Sequence, residues 1–241
     1  GSLFTYVSAN DDQGTASGQF SWEQACAYGL PLPVSAPFYV LLGGAQVGSS
    51  PGPRVYNRLF RQRNIPGAYI PVPTQRLGDT LEILRQLGCA GASVTMPHKQ
   101  EALRLSVPDD AARQAGAANT LRFGAGMVES TNTDIEGISR PLGRAISKSG
   151  LSTSTAMILG GGGAARAAVL ACQALGLKTV VAARNFDPDG LGVQWIPWAK
   201  RTSQQAGVVI NATPIADETL WPADIALSAE IVFDLALGDA P

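Results

Sequence analysis

"AMILGGGGAARAAVLACQALGLKTVVAARN", residues 156–185, decides how this chain is read. Four apolar residues run straight into four glycines, an alanine-rich stretch follows, and a second apolar run ends at Ala183. The pattern predicts a buried strand, a tight turn, a helix and a second strand. Two strands joined through a helix lie parallel in one sheet, so the class is α/β. Further short apolar strands follow at "GVVINATP" (207–214) and "EIVFDLAL" (230–237). Upstream the same alternation recurs. "FYVLLGG" (38–44), "GAYIPVP" (67–73) and "AGASVTM" (90–96) read as strands, with helices at "RVYNRLFRQRN" (54–64) and "LGDTLEILRQLG" (77–88) between them. In the first helix Val55, Leu59 and Phe60 are expected to face inward.

The middle of the chain reads as a helix at "HKQEALRLS" (98–106) and a helix then a strand in "PDDAARQAGAANTLRF" (108–123). A turn and a long helix follow in "NTDIEGISRPLGRAISKSG" (132–150). These expectations make a two-domain protein: an open α/β domain over 38–137, a hinge helix over 138–153, and a second α/β domain over 154–241. Residues 1–37 differ in composition. They are polar and turn-rich, then "WEQACAYG" (22–29) makes two helical turns, then "LPLPVSAP" (30–37) is a proline-rich linker. The leading Gly1-Ser2 without a methionine reads as a cloning scar.

At 241 residues, 45% hydrophobic and 15% charged, the chain has a globular composition long enough for one large or two small domains. A net charge of −1 without a basic stripe argues against direct nucleic-acid binding. No apolar run reaches 18 residues, so no membrane span is expected. Cys26, Cys89 and Cys172 are far apart and His98 is the single histidine, which argues against a metal site or a disulfide framework and for a reducing compartment. His98 itself reads as an exposed first-turn residue without a role.

The glycine turn carries the first chemical signal. Gly160, Gly162 and Gly163 stand where a strand opens into a helix, so the backbone can approach a pyrophosphate and the helix N-terminus offers free N–H groups. A ribose 2′-hydroxyl is met by a carboxylate about 20 residues after such glycines. The second strand here ends in Ala183-Arg184-Asn185 instead. A guanidinium suits a 2′-phosphate, so a bound cofactor would be NADP(H) rather than NAD(H). The plain alternatives are a ligand-free turn and a solvated strand-end arginine.

A second signal lies upstream. "SVTMPHKQE" (93–101) places Lys99 just past a strand end, "GAANTL" (116–121) places Asn119 beside a glycine break, and "NTDIEG" (132–137) places Asp134 where it or Thr133 can cap the long helix. All three fall at connections along one edge of an alternating α/β unit, where such sheets hold ligands. A lysine paired with a carboxylate can pass a proton to or from a substrate oxygen. Taken singly, a surface lysine, a helix cap and a turn residue explain them equally well.

Taken together, "SVTMPHK", "GAANTL", "NTDIEG", "GGGGAAR" and "VVINATP" occur in the order and at the approximate spacing of the shikimate dehydrogenases, which residues 38–241 resemble. The resemblance implies a substrate domain followed by a Rossmann-like NADP-binding domain, with NADPH-dependent reduction of 3-dehydroshikimate to shikimate or of a quinate-like hydroxy acid. It implies a catalytic pair of Lys99 and Asp134. Thr95 and Asn119 would hold substrate hydroxyls and Ser50 the carboxylate. Gly160, Gly162, Gly163, Ala164, Arg184 and Thr213 would bind the cofactor. "TYVSANDDQGTASGQFS" (5–21) is similar to the tail of a type I dehydroquinase. That likeness implies a chain cut from a fused shikimate-pathway polypeptide, such as the fungal pentafunctional protein, with no dehydroquinase chemistry of its own.

Four departures stand out. Where that family shows Ser-x-Ser-Pro, this chain has Ser50-Pro51-Gly52-Pro53, so the second carboxylate-holding hydroxyl is a glycine. Ser93 replaces the first residue of an Asn-Val-Thr triplet, the tyrosine expected after "VFD" falls on Leu237, and a C-terminal helix with a substrate-facing glutamine has no counterpart. Loss of one charge-assisted hydrogen bond costs roughly 1.5–3 kcal/mol of binding, which weakens affinity without removing the dyad. Two readings follow. One is an active cytoplasmic NADP-dependent dehydrogenase. The other is a ligand-sensing relative of the fungal quinate repressor, in which NADP binding is lost and a partner activator protein, in the nucleus, reads occupancy.

Overall fold

The computed structural model describes residues 20–28, 30, 35–124, 126–150, 154–186, 188, 190–215 and 229–236. The segment 1–19, residues 31–34 of the proline-rich linker and Leu237 lie outside the described residues. Contacts divide the chain into two compact units. One gathers Gly1–Val107 with Ala118–Ser130, and the other Pro108–Ala117 with Thr131–Pro241. The long helix, expected as a hinge over 138–153, runs from Asp134 to Ser149 and clusters entirely with the second unit.

The first unit opens with α1 (Trp22–Ala27), whose start is a capping box: the Gln24 N–H donates to Ser21 Oγ and the Ser21 N–H to Gln24 Oε1. Its sheet holds β1 (Phe38–Gly43), β2 (Ala68–Pro73), β3 (Gly91–Val94), β4 (Val107–Pro108), β5 (Thr120–Phe123) and β6 (Val128–Thr131) in the order β2-β1-β3-β5-β6-β4. β1 pairs in parallel with both β2 and β3, as the alternating pattern predicts, and β5 returns antiparallel to β3. Helices α2 (Gly52–Gln62), α3 (Leu77–Gln86) and α4 (Lys99–Arg104) connect these strands.

Of the residues expected to face inward on α2, Leu59 and Phe60 are half-buried, Phe60 against the cluster of Leu41, Val47 and Tyr69, but Val55 is not. Val55 is 41% exposed, while Pro53 and Asn57 are buried, with Asn57 at 1%. The Asn57 carboxamide explains the phase. Its Nδ2 donates to the Pro53 carbonyl and the Tyr69 carbonyl, each at 2.7 Å, and its Oδ1 accepts the Tyr69 N–H at 2.8 Å. A fully satisfied buried amide fastens the helix to β2, so a polar residue occupies the place where an apolar one was expected.

In the second unit, β7 (Thr155–Leu159), β8 (Lys178–Ala183), β9 (Gln194–Pro197), β10 (Val208–Asn211) and β11 (Ile231–Asp234) form an all-parallel sheet ordered β11-β10-β7-β8-β9. Ile158, Val181 and Ile210 belong to the core cluster that also holds α6 (Asp134–Ser149) and α7 (Gly163–Ala174) residues such as Leu142, Ala168 and Cys172. Met157, Leu159, Val180 and Val209 form a separate cluster. Burial on both faces accounts for the unbroken apolar runs seen in the sequence. β9, short and exposed at Gln194 and Trp195, has no such signature. The fifth helix, α5 (Asp110–Ala115), is capped by the Asp109 side chain, which accepts the Ala112 N–H. It belongs to this unit too, where Arg166 Nε of α7 donates to the Ala115 carbonyl at 2.9 Å.

Candidate functional site

In the first unit, Thr95, Lys99 and Asn119 come together beyond the C-terminal ends of β1 and β3. The Thr95 N–H donates to the Leu42 carbonyl at 2.8 Å and the Val94 N–H to the Asn119 carbonyl at 2.7 Å. The Ala118 N–H donates to the Lys99 carbonyl, also at 2.8 Å. Lys99 is half-buried at the first position of α4, and Asn119 is buried, its Oδ1 accepting the Thr120 hydroxyl. Gly43 permits this closeness, because a Cβ there would sit 2.5 Å from Thr95 Cγ2 and 2.6 Å from Val47 Cγ1.

The loop after β1 carries Ser50. Its Oγ accepts the Gly52 N–H at 3.2 Å, which leaves the hydroxyl proton available to donate. A Cβ at position 52 would meet Ser50 Oγ at 3.4 Å and Leu41 Cδ2 and Tyr69 Cε1 at 4.0 Å, all ordinary contacts. Space for a Cβ therefore exists, and the glycine is not demanded by packing. Below it Tyr69 is buried, and burial pushes its phenol up to about 12, against the pull of a hydrogen bond with Ser93.

His98 is corrected by the structure. It is not an exposed first-turn residue but 5% exposed, with Nε2 donating to the Thr74 carbonyl at 2.9 Å and Nδ1 3.3 Å from Glu101 Oε2.

In the second unit Asp134 is the half-buried first residue of α6. The expected cap through Thr133 or Asp134 is not the one formed. Thr133 holds the N-cap position without a side-chain cap bond, and the Asp134 N–H donates to Asn132 Oδ1 at 3.0 Å. Asn132 is buried and also donates from Nδ2 to the Ala117 carbonyl, so one amide seats the helix start. With its backbone so held, the Asp134 carboxylate need not cap the helix.

The glycine turn lies at the C-terminal end of β7, between β8 and β10. That is where the strand order reverses and where such sheets bind ligands. Gly160 has φ +119°, and a Cβ there would lie 2.8 Å from the Ala212 carbonyl oxygen and 3.2 Å from Thr213 Cγ2. Gly161, which the sequence reading passed over, is the tightest position of all, since a Cβ would fall 2.2 Å from the Asn185 carbonyl oxygen. Gly162 meets nothing within 4 Å and is the N-cap of α7 with no side-chain cap, followed by Gly163 and Ala164. Two glycines thus shape the turn, and at the third the helix begins without a side-chain cap and with open space where a Cβ would lie, an arrangement that fits a pyrophosphate. Arg184, the residue after β8, is exposed and among the described residues makes no ion pair. Thr213 donates through N–H and Oγ1 to Asn211 Oδ1. The fully buried Asn211 also donates from Nδ2 to Asp234 Oδ1 and the Ile215 carbonyl. Gly160, Gly162, Gly163, Ala164, Arg184 and Thr213 thus gather at one sheet end, and the residues present fit NADP(H).

Residues 42–121 match the model of the shikimate dehydrogenase substrate binding domain. The chain is 34% identical over 234 residues to the shikimate dehydrogenase (NADP(+)) of Salinibacter ruber, covering 86% of this chain and 81% of that one. The chain belongs to the shikimate dehydrogenase family. The corresponding enzyme of Pelobacter propionicus is 32% identical over 219 residues, covering 84% and 78%. Among solved structures, the Thermus thermophilus shikimate 5-dehydrogenase in complex with NADP(H) and shikimate superposes with a TM-score of 0.68 at 26% identity, covering 83% and 78%. Shikimate dehydrogenase 1 of Peptoclostridium difficile reaches 0.72 at 24% identity, covering 85% and 79%, a likeness of fold. These relatives are dehydrogenases, and they give the regulatory reading no support. Among the described residues no helix is long and apolar enough to cross a membrane, and no group of three His, Cys, Asp or Glu side chains gathers to hold a metal.

Proposed function

We propose that this chain is an NADP(H)-dependent dehydrogenase that interconverts 3-dehydroshikimate and shikimate. The observation that carries the cofactor half is the turn at 160–163, where two sterically obligatory glycines present an open, uncapped helix start beside the exposed Arg184. The substrate half rests on kinship with enzymes named for shikimate.

When bound, NADPH supplies the hydride that reduces the substrate carbonyl carbon. The carbonyl oxygen must then gain a proton, and we assign Lys99 as its donor, with Asp134 as the second member of the catalytic pair. Thr95 and Asn119 hold the ring hydroxyls. Ser50 donates to the substrate carboxylate alone, because Gly52 offers no second hydroxyl. Arg184 holds the 2′-phosphate bidentately. We place the activity in the reducing cytoplasm, consistent with three free thiols at Cys26, Cys89 and Cys172. We also read the N-terminal segment as joining this unit to a dehydroquinase-like domain in the native polypeptide, which sequencing the transcript upstream of residue 1 would test.

The purified chain supplied with 3-dehydroshikimate and NADPH should form shikimate, and NADH should replace NADPH poorly. Recovery of unconverted substrate from a cooperatively folded sample would overturn the proposal.

A further inference from the structure

Lys99 stands one residue after a buried imidazole that spans the sheet. At the ligand-facing edge, β1 is tied to each neighbour by backbone. The Thr74 N–H donates to the Gly43 carbonyl at 2.9 Å, the Thr95 N–H to the Leu42 carbonyl at 2.8 Å, and the Gly44 N–H to the Met96 carbonyl at 3.0 Å. β2 and β3 share no ladder, because β1 lies between them. His98 makes the missing connection. A carbonyl oxygen only accepts, so the 2.9 Å bond to Thr74 places a proton on Nε2. The other ring nitrogen faces Glu101, three residues along α4. On the backbone side, the His98 N–H donates to the Thr95 carbonyl at 3.0 Å and the Ala102 N–H to the His98 carbonyl at 2.8 Å. The imidazole therefore straps the first turn of α4 to the end of β2 while the main chain holds it to β3.

We propose that His98 is the positioning residue for Lys99. By anchoring the residue immediately before it from two strands at once, His98 sets where the lysine stem leaves the backbone. A histidine serving only the core needs some partner for each nitrogen. This one takes its partners from two elements, the end of β2 and α4, that meet at the base of Lys99. The proposal rests on the reading of Lys99 as the proton donor.

Two variants test it. His98→Leu removes the strap, and His98→Gln keeps an N–H near the Nε2 position. With shikimate and NADP⁺, His98→Leu should lower kcat by about tenfold to a hundredfold, as displacing a catalytic group does, and leave the KM for NADP⁺ unchanged. His98→Gln should recover most of that loss. An unchanged kcat in His98→Leu overturns the proposal. So does a loss that His98→Gln fails to recover while its melting midpoint matches the wild type. If the wild type shows no turnover, the dehydrogenase reading fails, and His98 is judged by amine acylation read by mass spectrometry. His98→Leu should then speed labelling of Lys99 relative to the exposed Lys178 and Lys200, and His98→Gln should not. Equal relative rates in all three proteins overturn it.

Discussion

The loop at Ser50–Pro53 and the turn at Gly160–Gly163 both offer glycine where a ligand would be held, and they do so for opposite reasons. At Gly161 a single added carbon would lie 2.2 Å from the Asn185 carbonyl oxygen, whereas at Gly52 the nearest atom would be 3.4 Å away. The first glycine is imposed by the fold. The second stands where a side-chain carbon would make only ordinary contacts. A glycine in a motif thus reports a ligand site only after the space around it is known, and the two regions of one molecule separate a sterically imposed backbone from an omitted side chain.

The largest expected effect breaks that contrast on the rigid side. Gly161→Ala should cost about 3 kcal/mol of stability in urea unfolding, the scale of an overpacked site. Gly162→Ala, facing open space, should cost no more than about 1 kcal/mol, the loss of a tolerated N-cap residue, and weaken NADP⁺ binding. Equal stabilities for the two variants would remove the steric account of the turn. Next, Arg184→Ala should raise the KM for NADP⁺ by about tenfold to a hundredfold, the worth of a charge-assisted bidentate contact, and leave that for NAD⁺ unmoved. A parallel change for both cofactors would place the arginine away from the 2′-phosphate.

On the permissive side, Gly52→Ser should lower the KM for shikimate about tenfold, the worth of one hydrogen bond to a charged group. No change, or loss of folding, would show that the space at position 52 does not face the carboxylate. A separate effect concerns stability at high pH. Burial raises the Cys172 thiol from its ordinary 9.0 to about 12 and Cys89 to about 11, with Tyr69 likewise up to about 12. Each folded group holds its proton more tightly than the unfolded chain does. Its contribution is therefore complete below pH 9 for the thiols (below 10 for Tyr69) and is lost as pH rises through the folded values. Cys172→Ala should flatten the decline between pH 9 and 12 by about 1.4 kcal/mol per pH unit, measured by urea unfolding.

Much of the second unit was legible in the sequence because parallel strands buried on both faces write themselves as unbroken apolar runs, and "AMIL" and "TVVAA" are such runs. The glycine turn was legible as a turn, but which glycine was obligatory was not, since that depends on Asn185, 24 residues away. The residues missed share one physical character. Asn57, Asn132, Asn211 and His98 are buried polar groups whose partners are backbone atoms or a side chain of other elements. Hydrophobic periodicity counts them as surface, which is why Val55 was turned inward and His98 outward. Lys99 and Asn119 were found by their place at element ends and Thr95 through the family resemblance, and the structure brings those three to one sheet edge.

The central claim is that the carboxylate loop is weakened while the machinery for turnover is kept. Its most direct test is the initial rate of NADP⁺ reduction over a series of shikimate concentrations, run beside Lys99→Ala. The account predicts a saturable, shikimate-dependent rate that falls by about 10² to 10⁴ when the lysine is removed. A folded wild-type protein no faster than Lys99→Ala at saturating shikimate would contradict it.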